Sequence, residues 1–222
     1  MTFNLFLAYI SVSSGFIPAI VGLFFLKRLF DVRYTRVLLL FFIIISVADL
    51  LFSIILPKYR IINNNWIWIH AVNIIEVICY GFVFYEVLHN QWIKKVLPYA
   101  VVVLILFMLI EITRTDGWMK AWGVTERAAC TTFLIILPLL YFYEIFVQKE
   151  LLDLRKQVLF WISAGMLFYF AGTFLVTTFI SILYVNRNDF PVWSIHSLLN
   201  IIANVLYGIG MSCKPRTKTF FS

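Results

Sequence analysis

The sequence predicts an all-α, polytopic integral membrane protein, a single domain of seven transmembrane helices over residues 1–222, with the N-terminus outside and the C-terminus cytoplasmic. Three observations predict it. Seven apolar stretches, each long enough for the roughly 20 residues of a helical crossing, fill nearly all of the chain. Hydrophobic residues make up 63% and charged residues 13%, with a mean hydropathy of +0.94, a composition suited to lipid tails that excludes a soluble core. The basic residues divide unequally between the two sets of connecting segments, and this orients the bundle.

Span one runs from Phe3 to Leu26, too long for the apolar core of a cleaved signal, and residues 1–4 hold no Lys or Arg, so a retained helix is expected. Span two, Thr35 to Leu56, holds Asp49 about two turns below its outer end. Span three, Trp66 to Leu88, carries His70, Asn73, Glu76 and Tyr80 close to helical spacing, one polar stripe that reaches the midplane at Glu76. Spans four and five are Val96 to Thr113 and Thr125 to Val147. Span six, Gln157 to Val185, puts Tyr169, Thr173 and Thr177 on one face, and span seven, Val192 to Ser212, repeats His196, Asn200 and Asn204 every four residues. Pro18, Pro98 and Pro138 fall inside spans one, four and five, where each frees a carbonyl and favours a kink. Barrel strands alternate in polarity and last about ten residues, unlike these continuous runs.

Twelve of the 18 basic residues follow spans one, three, five and seven: Lys27, Arg28, Arg33, Arg36, Lys94, Lys95, Lys149, Arg155, Lys156, Lys214, Arg216 and Lys218. The other side holds Lys58, Arg60, Arg114, Lys120, Arg127 and Arg187, offset by Asp116, Glu126 and Asp189. Lys and Arg accumulate on the cytoplasmic side, so the first set is placed inside. Trp66, Trp68, Trp118, Trp122 and Trp193 then mark the outer interface, and Trp92 and Trp161 the inner one, as an aromatic belt. The net charge of +7 is thereby divided among short loops facing anionic lipid, which points to the bilayer and away from nucleic acid.

No connecting segment has room for a domain, so the function belongs to the bundle or its rims. The three cysteines lack metal-ligand spacing, and Cys79 and Cys130 fall at different depths, which argues against a disulfide between them. No glycine-rich phosphate loop or nucleophile elbow is present. A retinal protein needs a buried lysine in the last helix, and span seven has none. A seven-span zinc hydrolase needs three converging histidines; here His89 lies at the cytoplasmic end, far from His70 and His196, and Asn200 stands where such enzymes repeat a histidine. Transport competes more strongly, because intramembrane carboxylates bind coupling ions, yet the polar residues gather in the outer half with no inner counterpart. A weak internal echo pairs Phe84 to Glu86 at the end of span three with Phe142 to Glu144 at the end of span five; Glu86 and Glu144 are expected to pair with Lys94, Lys95, Lys149 or Arg155.

An unpaired charge at the bilayer centre costs about 3 kcal/mol or more, so each ionisable residue in a span needs a partner or water. The residues expected to bind a ligand are Asp49, His70, Asn73, Glu76, Tyr80, Tyr169, Thr173, His196, Asn200 and Asn204, with spans two, three, six and seven framing one outward-facing polar cavity. Membrane helices are also joined by ordinary hydrogen bonds of about 1 kcal/mol or less. For Asn204, Thr173 and Thr177 that packing role is the expected one.

The Asp49 region, the Asn73 to Glu76 segment, Phe84 to Glu86, Phe160 and Trp161 through Tyr169 to Gly172, and Trp193 to Asn200 together resemble uncharacterised bacterial seven-span membrane proteins, similar in layout to the membrane sensory modules of histidine kinases. The resemblance covers nearly the whole chain. It implies a receptor-like protein of the bacterial inner membrane that binds a small or lipophilic ligand without a cofactor. Because the chain ends at Ser222 with no kinase, the resemblance implies signalling to a separate membrane or cytoplasmic partner. A small-solute or ion transporter is the second expectation, and an intramembrane metal-dependent lipid hydrolase the third.

Overall fold

A computed structural model describes residues 3–59, 61, 66–114, 124–148, 153–183 and 192–215. Seven of its helical runs are long and apolar enough to cross a membrane, and no strand occurs among the described residues. Span one is built from α1 (Phe3–Ser14) and α2 (Phe16–Phe24), followed by the short α3 (Leu26–Phe30). Pro18 accounts for the break at Gly15. Its nitrogen has no hydrogen for the Ser14 carbonyl and its ring crowds that turn. The Gly15 N–H instead closes a tight turn on the Val12 carbonyl at 3.2 Å. Pro98 and Pro138 lie inside their helices without interrupting them.

Span two is α4 (Arg33–Leu50), a π-helical turn (Leu51–Ile55) and α5 (Leu56–Lys58). Spans three to seven are α6 (Trp66–Val87), α7 (Gln91–Arg114), α8 (Val124–Gln148), α9 (Val158–Leu183) and α10 (Val192–Ser212), with a 3₁₀ turn (Leu154–Lys156) before α9. Six spans close a ring: α1 and α2 pack on α4 and α10, α4 on α6, α6 on α8, α8 on α9, and α9 on α10. Helix α7 stands outside, against α6 and α8. Only 17% of its apolar window is buried, compared with 50% for α6, so Val102, Val103, Leu106 and Ile110 face outward.

Lipid tails are as apolar as leucine, so these helices associate through close packing and interhelical hydrogen bonds rather than through hydrophobic burial. Helices α9 and α10 approach closely, where a Cβ on Gly165 would lie 2.6 Å from the Tyr207 ring and one on Gly210 3.1 Å from the Val158 carbonyl. The ring is filled by Leu38, Val83, Phe84, Leu134, Ile162 and Met166, all fully or almost fully buried.

The described basic residues expected inside gather at one end of the bundle. There Arg28 donates to the Ser212 carbonyl, Arg33 lies 3.6 Å from Glu86, and the Lys214 N–H reaches the Lys156 carbonyl at 3.2 Å. Among the described residues Glu144 does not meet Lys94, Lys95 or Arg155 as expected. It accepts the backbone N–H groups of His89 and Asn90 at 2.8 and 2.9 Å, holding the turn into α7, whose Trp92 N–H is capped by Asn90 Oδ1 at 2.9 Å. Trp92 is exposed at this end and Trp161 donates to the Arg155 carbonyl at 2.8 Å. Trp68, expected at the outer interface, is instead buried in the bundle. Arg60, Asp116, Trp118, Lys120, Trp122, Lys149, Arg187, Asp189, Arg216 and Lys218, and the side chains of Trp66 and Trp193, lie outside the described residues.

Candidate functional site: a polar cavity inside the helix ring

At the opposite end, where α6, α8 and α10 begin, the ring encloses a cavity of about 440 Å³. It is lined by α1 and Gly15, α4 with its π turn, α6, α8, α9 and α10, and not by α7. Spans one and five therefore join the four helices expected to frame it.

On the α4 side, Asp49 accepts the Trp68 indole N–H at 2.7 Å, and the Trp68 ring stacks on Phe52 at 5.0 Å and 9°. The π turn begins two residues after Asp49 and supplies both Phe52 and Ser53, the latter in the cavity wall. Such turns insert a residue into the helical register and are frequent at functional sites.

On α6, Trp68, Asn73, Glu76 and Tyr80 share the inward face. Asn73 is 4% exposed, and its Nδ2 has no hydrogen-bond acceptor among the described residues. Glu76 is partly accessible from the cavity.

Helix α8 brings Arg127 into the wall, and its guanidinium donates to the Tyr169 hydroxyl. The preceding residue, Glu126, points away toward α6 and meets His70 Nδ1 at 3.0 and 3.1 Å, with both side chains 1% exposed. Consecutive helical residues are rotated by about 100°, so one turn of α8 sends its acid and its base in different directions. His196 packs against the Tyr169 ring at 5.6 Å.

The α10 and α1 walls are joined by hydrogen bonds. Asn200 Nδ2 donates to Ser11 Oγ at 2.9 Å, Asn204 Nδ2 to Ser14 Oγ at 2.9 Å and to Asn200 Oδ1 at 3.3 Å, and Ser14 Oγ to the Ser11 carbonyl at 2.7 Å. Asn204 thus has the packing bond expected of it and lines the cavity as well. Toward the basic end the cavity stops on aromatic rings. Tyr80 and Tyr207 are hydrogen-bonded through their hydroxyls; Phe41 and Phe170 meet Tyr80 edge-on at 5.3 and 6.3 Å, and Phe42 stacks on Tyr207 at 5.2 Å.

Asp49, Asn73, Glu76, Tyr80, Tyr169, His196, Asn200 and Asn204 are brought together around this space; two of the expected ligand-binding residues are not. His70 faces Glu126, because the approach of α8 to α6 offers it a carboxylate. Thr173 is 2% exposed away from the cavity, and its carbonyl accepts the Thr177 hydroxyl at 2.9 Å. Glu126 and Arg127, placed by sequence among the outer loop charges, belong to the interior. One signal marked them: an arginine in the first turn of a helix stands at the positive end of the helix dipole, where it needs compensation by acids. Ser11 and Ser14 were not marked by sequence as partners of Asn200 and Asn204.

Among the described residues no three of His, Cys, Asp and Glu gather closely enough to hold a metal ion. The chain matches no family model, no curated protein and no solved structure.

Proposed function

We propose that this integral membrane protein is receptor-like: it binds a small ligand in the polar cavity and passes the change in helix packing to a separate partner at the basic end. The observation that carries this reading is a cavity of about 440 Å³ holding Asp49, Glu76, Arg127 and His196, closed by the Tyr80 and Tyr207 floor. That volume falls in the range of pockets for small molecules, about 300–1,000 Å³. Below the floor the ring is filled with apolar side chains, so the polar path ends there, which favours binding over conduction. Helix α10 links the two ends, lining the cavity from His196 to Tyr207 and accepting Arg28 at Ser212. On this reading the cavity faces outward and the basic end faces the cytoplasm of a bacterial inner membrane.

Native mass spectrometry of the protein released from lipid, compared with Ser197→Trp, tests the reading, because Ser197 lines the cavity and an indole there fills it. A bound small molecule retained by the parent and lost by the variant is the expected result. Solute flux into reconstituted vesicles would replace the receptor reading with a transporter. An identical mass for parent and variant, apart from the substitution, would remove the ligand.

A further inference from the structure

Two carboxyl groups line the cavity with one arginine among the described residues. Asp49 and Glu76 face a single arginine, Arg127, and the neighbouring Glu126 and His70 pair supplies no excess of positive charge. A second carboxylate inside a low-dielectric bundle is costly without a counter-charge, and a cationic ligand would supply one. The two acids also differ in their commitments. Asp49 already holds the Trp68 indole at 2.7 Å. Glu76 lines the cavity and makes no hydrogen bond or ion pair with any described residue, while Arg127 is engaged by Tyr169.

One turn from Glu76 on the same helix face, Asn73 presents a second unmet group. Its side-chain nitrogen is buried without an acceptor, and a buried donor left unpaired is destabilising. An acceptor for a cation and a donor for an oxygen thus stand about 5–6 Å apart, the separation of residues three apart on a helix. Beyond them, Phe41, Tyr80, Phe170 and Tyr207 offer ring faces and edges, and aromatic rings attract an ammonium as well as an apolar body. A hard metal cation is poorly served, because it needs about six oxygen ligands and no described cluster of acids provides them.

We propose that the cavity takes a small organic cation with a primary ammonium group, Glu76 serving as counter-ion, Asn73 donating to an oxygen of the ligand and the aromatic floor receiving its apolar body. This rests on the ligand-binding reading above. A free amine and the ethanolamine headgroup of a lipid share this chemistry.

The test uses the full chain in phosphatidylcholine and phosphatidylglycerol nanodiscs and three probes of one shape: tyramine (cationic), tyrosol (neutral) and 3-(4-hydroxyphenyl)propionate (anionic). Tyramine is expected to bind at least tenfold more tightly than tyrosol, with the anion weakest. Glu76→Gln is expected to abolish that preference without lowering the unfolding temperature, and Asn73→Leu to weaken tyramine severalfold while keeping the preference. Should Glu76→Gln fail to fold, Glu76→Asp retains the charge with a shorter reach and is expected to weaken tyramine while preserving its order over tyrosol. Phosphatidylethanolamine in the nanodisc competes with tyramine if the natural source is a lipid and has no effect if it is a free amine; both results agree with the assignment. Equal binding of the three probes, or preference for the anion, with loss in Ser197→Trp, overturns the cation and keeps the cavity as a ligand site. No binding by any probe to the folded protein overturns the cation assignment, and binding unaffected by Ser197→Trp overturns the site itself.

Discussion

Removing the Glu126 carboxylate tests the internal ion pair that ties α8 to α6. The His70 ring nitrogen lies 3.0–3.1 Å from both carboxylate oxygens, and neither side chain is more than 1% exposed. At an effective dielectric of about 20, two unit charges at that distance attract by about 5 kcal/mol before desolvation is counted. Desolvation offsets most of this, so the intact pair adds little over a well-packed apolar one, whereas removing one partner costs about 3–5 kcal/mol when the other stays charged. Glu126→Leu should therefore destabilise by about 3 kcal/mol and Glu126→Gln, which keeps an acceptor, by about 1–2 kcal/mol. The double variant His70→Leu with Glu126→Leu should recover much of the loss, for a coupling of about 2 kcal/mol. Reversible unfolding in mixed micelles, followed by circular dichroism, measures all four corners of the cycle. A coupling under about 0.5 kcal/mol would show that the pair does not join α6 to α8.

Other expectations follow from single contacts. Gly165→Leu forces a branched side chain onto the Tyr207 ring and should cost about 1–3 kcal/mol by overpacking, read as a lower unfolding temperature. Glu144→Gln removes the charge that holds the turn into α7 and should cost about 1 kcal/mol, with faster amide exchange at His89 and Asn90. An impermeant thiol reagent added to intact cells should label Ser53→Cys, and should label Trp92→Cys only after the membrane is opened; the reverse pattern inverts the orientation. Lys156 holds the exposed Asp153 carboxyl below its usual range, so the small stabilisation of the 3₁₀ turn is present above the ordinary carboxylate pKa and fades as pH falls through the lowered one; Asp153→Asn should remove that acid dependence from NMR shifts of the turn.

The seven spans were legible because hydropathy and length alone decide what crosses a bilayer, and neither depends on neighbours. The stripe on α6 was legible for a related reason: helical spacing determines that Asn73, Glu76 and Tyr80 share a face. What spacing omits is the azimuth of each helix and the identity of its neighbours. His70 belongs to the same sequence stripe, yet the approach of α8 turns it toward Glu126. Arg127 read as a loop charge because positive-inside counting treats every cation near a span end alike, and only the packing of α8 against α9 brings it to Tyr169. The break at Gly15 was foreshadowed by Pro18, whereas the π turn after Asp49 has no proline or glycine within it to announce it.

The adjacency of Glu126 and Arg127 fixes which parts of the bundle yield. Any rotation of α8 about its own axis that freed Arg127 from Tyr169 would also pull Glu126 off His70, so α8 and α6 form a stator with one charged bolt. The opposite wall is fastened differently. Neutral amide and hydroxyl bonds join α10 to a span already broken at Gly15, and such bonds exchange partners at little cost. On the receptor reading proposed above, a bound ligand would displace the α1 wall against this frame, and α10, which holds that wall through Asn200 and Asn204, would carry the change to Ser212 and its Arg28 contact.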